Sequence, residues 1–280
     1  MLFGAAIFFT EYSMGAIELA RALEERGFES LWAPEHSHNP ASRKMPYPGG
    51  HDLPKEYYDV MDPFVTLSAA AAVTKALKVA TGICLVQQRD VIQTAKLVSS
   101  IDQVSRGRFL FGIGGGWNQD EMENHGTVFE TRFQRVRESI EAMKEIWTKD
   151  QAEYRGGIVK FDPIFANPKP VQKPYPPIIV GGGWPQGARR AIRYGDGWLP
   201  IISADVLAKI LPEYGVMAKE AGRDPSSVPI TAWHGKFEPD AIRRYQDLGV
   251  VRVVTTLPPA GAEKILPILD RCAETIAKTS

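Results

Sequence analysis

The chain has 280 residues, 44% of them hydrophobic and 24% charged, enough to bury a sizeable core and too apolar for a disordered or fibrous protein. Thirty-three basic residues balance 33 acidic ones, so the mean surface field favours neither nucleic acid nor an anionic membrane, and any anion site has to be local. The opening MLFGAAIFFTEY lacks the features of a signal peptide, no run approaches the roughly 18 apolar residues of a membrane span, and a cytoplasmic location is expected.

Taken from the amino terminus, short β-rich apolar runs alternate with amphipathic stretches, the pattern of parallel strands joined by crossover helices. Strands are predicted over residues 2–9, 30–35, 78–86, 109–114, 177–180, 197–201, 228–233 and 251–256, each followed by a helical segment. The helices show in their periodicity. Thr94, Leu97, Val98, Ile101 and Val104 share one face, Phe133, Val136, Ile140, Met143, Ile146 and Trp147 another, and Ile265, Leu269, Cys272 and Ile276 a third. Eight strand and helix pairs with no strand-only or helix-only block predict an α/β chain folded as one (β/α)8 TIM barrel over residues 1–280. Cys84 and Cys272 fit reduced thiols better than a disulfide.

Two insertions interrupt the barrel pattern. Residues 37–62, after the second strand, carry Pro40, Pro46, Pro48, Gly49, Gly50 and Pro54. Residues 150–176, before the fifth strand, carry five prolines and a YRGGIVKFD core that reads as a hairpin turning at Gly156 and Gly157. Both insertions are expected to wall the site, with Tyr47, Tyr57, Tyr58, Phe161, Trp117 and Trp184 as candidate aromatic lining.

A barrel carries its chemistry at the carboxyl ends of its strands. There the sequence places Glu35, His36 and His38 after the second strand, Gln87, Gln88 and Arg89 after the third, and Gly114, Gly115, Gly116, Trp117 and Asn118 after the fourth. Gly181, Gly182 and Gly183 follow the fifth, and His234 the seventh. The fifth-strand glycines lead through Pro185 into a helix containing Ala188, Arg189 and Arg190, so free amides and nearby charge suit a cofactor phosphate. A tight turn serving packing alone is the competing reading, and the second triple glycine, at Gly114 to Gly116, favours the cofactor cleft.

Neither loop is a common nucleotide motif. In G-I-G-G-G-W, Trp117 stands where a dinucleotide fingerprint needs its third glycine, and G-x-x-x-x-G-K-[ST] is absent, which disfavours a Rossmann dehydrogenase and a P-loop enzyme. His36 beside Glu35 is the best acid/base candidate, against the plainer reading of a hydrogen-bonded loop histidine. A metal held by His36 and His38 with Glu35 or Asp52 lacks a supporting motif, so no metal is expected. Residues 102–109 fall between a helix and a strand, at the bottom of the barrel, and read as structural. There is no G-x-S-x-G elbow for nucleophilic hydrolysis.

ESLWAPEH, the ATGIC strand, SRGRFLFGIGGGWNQDE and PPIIVGGG, in that order along nearly the whole chain, resemble the luciferase-like monooxygenases. LWAPEH, YPGG, EYYDVMDPF, PKPVQ and PPIIVGG look more narrowly like the actinobacterial branch commonly assigned to coenzyme F-420, a deazaflavin hydride carrier. The resemblance implies a flavin or deazaflavin ring across the carboxyl ends of the strands, with its phosphate near the loop after the fifth. A strand-three bulge with a non-prolyl cis peptide would back the ring, matched by Gly82 and Ile83 beside Thr81. Expected cofactor contacts are then Glu35, Thr81, Gly82, Ile83, Trp117, Asn118, Gly181, Gly182, Gly183, Ala188 and Arg189, with His36 catalytic. Some deazaflavin dehydrogenases carry a glutamate acid/base in the loop after strand four, where this chain has Trp117 and Asn118; that puts sugar-phosphate dehydrogenase chemistry in doubt.

The expected activity is hydride exchange between F-420 and a small organic substrate in a homodimer. The alternatives are a reduced-FMN monooxygenase on the same scaffold and a barrel that binds a flavin or deazaflavin without turnover.

Overall fold

The computed structural model describes residues 1–41, 44–50, 52–233 and 237–279. The first half runs β1 (Leu2–Ala6), α1 (Ala16–Glu25), β2 (Ser30–Ala33), α2 (Glu56–Asp59), α3 (Pro63–Val73), β3 (Lys78–Thr81), α4 (Val91–Val104), β4 (Phe109–Ile113), α5 (Gln119–Asn124) and α6 (Arg132–Thr148). A hairpin follows, β5 (Gln151–Arg155) and β6 (Lys160–Phe165). The second half is β7 (Ile178–Gly181), α7 (Gln186–Tyr194), β8 (Gly197–Leu199), α8 (Ala204–Glu220), β9 (Thr231–Trp233), α9 (Pro239–Asp247), β10 (Arg252–Thr256) and α10 (Ala262–Thr279).

Eight strands pair in parallel in the order β8-β7-β4-β3-β2-β1-β10-β9. Parallel bridges Trp198↔Ile230 and Ile201↔Trp233 join the two ends, with the Trp198 amide donating to the Pro229 carbonyl at 3.0 Å and the Trp233 amide to Pro200 at 3.1 Å. The sheet therefore closes into the expected (β/α)8 barrel. Inside it, Ala6, Trp32, Ala80, Leu110, Ile179, Leu199 and Val254 form a compact core, while a larger apolar layer fills the space between sheet and helices. Trp32 needs small neighbours: a Cβ on Gly112 would meet the Thr81 carbonyl oxygen at 1.9 Å and the Trp32 ring at 3.3 Å.

Regular strands are shorter than the apolar runs that announced them. The run 78–86 pairs regularly only to Thr81, passes through a cis Gly82–Ile83 peptide, touches β4 once at Cys84↔Ile113, and ends in a 3-10 turn at Val86–Gln88. Buried loops at a barrel mouth are as apolar as strands, so hydrophobicity does not mark where pairing stops.

The helix starts carry their own signals. Asp90 Oδ1 accepts from the Gln93 amide at 2.8 Å to cap α4, and Asp62 Oδ1 accepts from Phe64 at 2.8 Å to cap α3 ahead of Pro63.

The two insertions differ in where they go. The one after β2 folds over the mouth, tied down by the Met61 amide to the Phe9 carbonyl at 2.8 Å and the Lys44 amide to Asp120 at 2.7 Å. The hairpin, with Gly156 and Gly157 in its turn as expected, instead lies along the outside of α6. Glu138 accepts from the Ile158 and Val159 amides at 2.7 and 2.9 Å, and Lys169 Nζ donates to the Ile146 carbonyl at 2.6 Å. The expectation that both insertions wall the site is corrected here: a connection from helix to strand starts at the barrel bottom, and this one climbs the helix wall.

At that bottom, Arg108 donates to the carbonyls of Ser105, Leu77, Ala71 and Thr74, tying β4 to the end of α3. The segment serves the frame, as its sequence position suggests.

Candidate active site

A cavity of about 400 Å³ opens at the carboxyl ends of the strands and receives a residue from every one of them. Phe8 comes from beyond β1, Pro34, Glu35 and His36 from beyond β2, Gly82, Ile83 and Leu85 from beyond β3, and Gly116 and Trp117 from beyond β4. Gly181 ends β7 and Gly182 and Gly183 follow it, Leu199 and Ile201 belong to β8 and its end, and Trp233 and Thr256 close β9 and β10. Tyr57 from α2 completes the wall. The lining is largely apolar, with its polar groups concentrated at His36 and at the glycine loop.

His36 is fixed from behind. Its Nδ1 lies 2.7 Å from Glu121 Oε2, the two side chains being 8% and 0% exposed, and Glu121 Oε1 accepts from the Ser37 amide at 3.1 Å. Tyr57 and Trp117 flank the ring, with centroid distances of 5.1 and 6.1 Å. Tyr47 packs on both of these aromatics, and its hydroxyl lies 3.0 Å from that of Tyr57, whose phenol is pushed up by burial and by that contact.

Glu35 turns into the protein. Its Oε2 accepts from the Leu85 amide at 2.8 Å and its Oε1 from Arg89 Nε at 2.5 Å, while Arg89 Nη2 also reaches Asp62 at 2.6 Å. Burial raises the Glu35 carboxyl above the usual carboxylate range, with Arg89 and the Leu85 amide acting in the opposite sense. Cys84 beside it is raised by burial and by the Glu35 charge, which leaves it a poor nucleophile. The Glu35–Arg89–Asp62 chain thus pins the ends of the long loop to β3 and α3. A second, polar cavity of about 320 Å³ adjoins it, sharing Glu35 and His36 with the first and adding Ser37, Val60, Asp62, Gln88, Arg89 and His125.

The other end of the apolar cavity faces positive charge. A Cβ on Gly182 would lie 3.0 Å from Arg190 Nη2, and one on Gly115 would lie 2.2 Å from the Phe133 ring. Arg190 and Arg132 both pack on Phe133, at 4.0 and 4.4 Å from its centroid. Neither makes an ion pair with a carboxylate among the described residues, and Arg132 Nε is buried without a partner. Burial lowers both guanidinium values, and the two cations repel each other. α7 starts at the same place, with Gly187 so close under the loop that a Cβ there would meet the Gly182 oxygen at 2.1 Å.

Of the residues singled out from the sequence, the fold gathers Glu35, His36, Gly82, Ile83, Trp117, Gly181, Gly182 and Gly183 around one cavity. Thr81 is buried behind it, donating to the Gly112 carbonyl at 2.7 Å; Asn118 caps α5, and Ala188 is buried on α7. Arg189 is exposed and lines a separate outer cavity with Arg193 and Arg223. Phe161 lies on the hairpin away from the site, and His234 lies outside the described residues. Glu121, Arg132, Phe133 and Trp233 did not stand out in the sequence. Glu121 sits three residues after Asn118 and reads as part of a helix cap, and the others depend on which way a helix or strand end faces. No group of three or more His, Cys, Asp or Glu suited to a metal exists among the described residues.

A closed barrel with its cavity at the strand ends, apolar across the middle and cationic at one side, is the architecture of a ligand-binding barrel enzyme. The sequence pattern of the luciferase-like monooxygenases matches residues 12–236, and the chain belongs to that family. An uncharacterized protein of Mycobacterium tuberculosis is 35% identical over 285 aligned residues, covering 99% of both chains. An F420-dependent hydroxymycolic acid dehydrogenase of the same organism is 27% identical over 212 residues, 75% of this chain and 55% of that one. Among solved structures, a monooxygenase from Streptomyces bottropensis superposes with a TM-score of 0.81 at 20% identity, over 99% of each chain. The F420-dependent tetrahydromethanopterin reductase of Methanopyrus kandleri gives 0.77 at 17%, over 100% of this chain and 99% of that one; these two likenesses establish the barrel.

Proposed function

We propose that this protein is an oxidoreductase that uses the deazaflavin F-420 for hydride transfer to or from a small organic substrate. The observation that carries the reading is the polarity of the cavity: an apolar bed formed by Ile83, Leu199, Ile201 and Trp233, with His36 at one side and the glycine loop before Arg190 at the other. That division suits a flat heteroaromatic ring carrying a phosphorylated side chain. The residues fit such a group, since two guanidinium groups with no carboxylate partner among the described residues, Arg190 and Arg132, and the N-terminus of α7 suit a dianion. The F420-dependent dehydrogenase aligns over 75% of this chain, against 47% for an FMNH2-dependent monooxygenase, which favours the deazaflavin.

Bound F-420 would supply a two-electron hydride acceptor or donor. The chain's own residues do the rest. Ile83 and Trp233 would exclude water from the bed, Arg132 and Arg190 would orient the phosphate end, and His36 Nε2 would hold the proton that a substrate hydroxyl gives up. In the reverse direction the same nitrogen returns it.

The test is a titration of the apoprotein with F-420 and separately with FMN, followed by quenching of cofactor and tryptophan fluorescence. Micromolar or tighter F-420 binding with much weaker FMN binding is expected. A preference for FMN would replace the reading with reduced-FMN oxygen chemistry, as in the dimethylsulfone monooxygenase of Pseudomonas putida, 34% identical over 136 residues, 47% of this chain and 37% of that one. Binding of neither would overturn it, and tight binding with no turnover across a broad substrate panel would make the protein a carrier.

A further inference from the structure

Asn118, Gln119, Asp120 and Glu121 form the N-x-x-E pattern in which a glutamate at the third helical position reaches back to the amide of the cap residue. Only half of that arrangement is present. Asn118 Oδ1 accepts from the Glu121 amide at 3.4 Å, while the Glu121 side chain leaves the helix start for His36 and the Ser37 amide. It is fully buried there, with one oxygen committed to backbone and the other to the imidazole. A carboxylate oxygen can only accept, so Nδ1 carries the hydrogen in this contact. Nε2 has no hydrogen-bond partner among the described residues, and the ring is a shared wall of the apolar and polar cavities.

The groups facing His36 are Glu121 from α5, Glu35 from the end of β2, Tyr57 from α2 and Trp117 from beyond β4; Arg89, Asp62 and His125 stand on the wall of the polar cavity. Glu35 is taken up by Arg89 and the Leu85 amide, so Glu121 is the carboxylate in contact with the ring.

We infer that Glu121 is a positioning residue that holds His36 in the Nδ1-protonated tautomer, aims a basic Nε2 at the reacting centre, and stabilises the imidazolium formed when Nε2 takes a proton. The polar cavity, with Ser37 Oγ 2.7 Å from His125 Nε2, gives that proton a route to solvent that bypasses the apolar bed. The kinetic consequence rests on the proposed role of His36; the tautomer does not.

The test accordingly has two arms. In the first, the apoprotein with 15N-labelled histidine is observed by long-range 1H–15N correlation at pH about 9, above the ordinary imidazole range, with His36 assigned by its loss in His36→Asn. The expected pattern is a protonated Nδ1 and an unprotonated Nε2, turning to a mixed or inverted pattern in Glu121→Gln. A wild-type ring protonated at Nε2, or a Glu121→Gln ring with the wild-type pattern, overturns the inference without touching the proposed activity. In the second arm, Glu121→Gln is expected to lower kcat at least tenfold and by no more than the ~10²–10⁴ that a positioned proton-transfer group contributes, with KM within about threefold and an unchanged melting temperature. A raised KM with unchanged kcat would assign Glu121 to binding instead and overturn it. The wild-type spectrum needs no variant, so a misfolded Glu121→Gln protein still leaves the tautomer assignment to stand or fall.

Discussion

His36 is held by one buried carboxylate and flanked by two aromatic rings, so its contribution can be removed without disturbing the bed beneath. Replacing it by alanine should cut turnover by about 10²–10⁴ while the cofactor dissociation constant stays within a few fold; unchanged turnover in steady-state assays would remove it from the mechanism. The cationic side gives a sharper contrast. Arg190→Ala should weaken a phosphorylated cofactor by roughly tenfold to a hundredfold, the loss of one charged hydrogen bond of about 1.5–3 kcal/mol, with no effect on a dephosphorylated analogue. Arg189→Ala should change neither, because that side chain faces the outer cavity. Equal effects from the two arginines in parallel titrations would displace the phosphate from this loop. Adjacent arginines are indistinguishable in sequence; the helix phase of α7 separates them.

At the scale of elements, contacts between side chains and backbone amides decide which segments stay docked. Burial works to raise the Glu138 carboxyl, but the Val159, Ile158 and Gly157 amides with Gln134 hold it down at about 2. A folded value below the unfolded one stabilises docking above the ordinary carboxylate range, and that stabilisation drains away as pH falls from about 4.5 toward 2. Limited proteolysis should therefore cut the β5–β6 hairpin first as the pH drops through that window, with Glu138→Gln cut already near neutral pH. α7 depends on a steric fit instead. Gly187→Ala should force the Gly181–Gly183 loop away from its helix, seen as a lower melting temperature together with weaker cofactor binding, because the added carbon would lie 2.1 Å from the Gly182 oxygen. The hairpin was legible from its two turn glycines, whereas its docking on α6 was not: nothing local says which surface a hairpin will cover.

For the whole molecule, the barrel separates a frame at one end from a site at the other. Arg108→Ala should leave Ala71, Thr74 and Leu77 carbonyls without their donor and destabilise the fold on the order of 2–4 kcal/mol. Denaturant unfolding would register the loss, while cofactor affinity measured well below the new midpoint stays at the wild-type value. A matching fall in affinity would mean that the two ends are coupled. Among the described residues no helix is long and apolar enough to cross a membrane, in keeping with the composition.

The sequence by itself determined the alternation of strands and helices, hence the barrel, and with it the rule that Glu35, His36, Trp117 and Gly181 to Gly183 would meet at one mouth, while Gly82 and Ile83 were placed there by the family resemblance alone. Period and chain order are local properties, and a closed parallel barrel converts them directly into position. Only the tertiary structure decided that Glu121 belongs to His36 rather than to its own helix cap, that Arg190 rather than Arg189 faces the Gly181–Gly183 loop, and that one insertion covers the site while the other lies along α6. Those outcomes depend on contacts between residues as far as 85 positions apart, which no periodicity encodes.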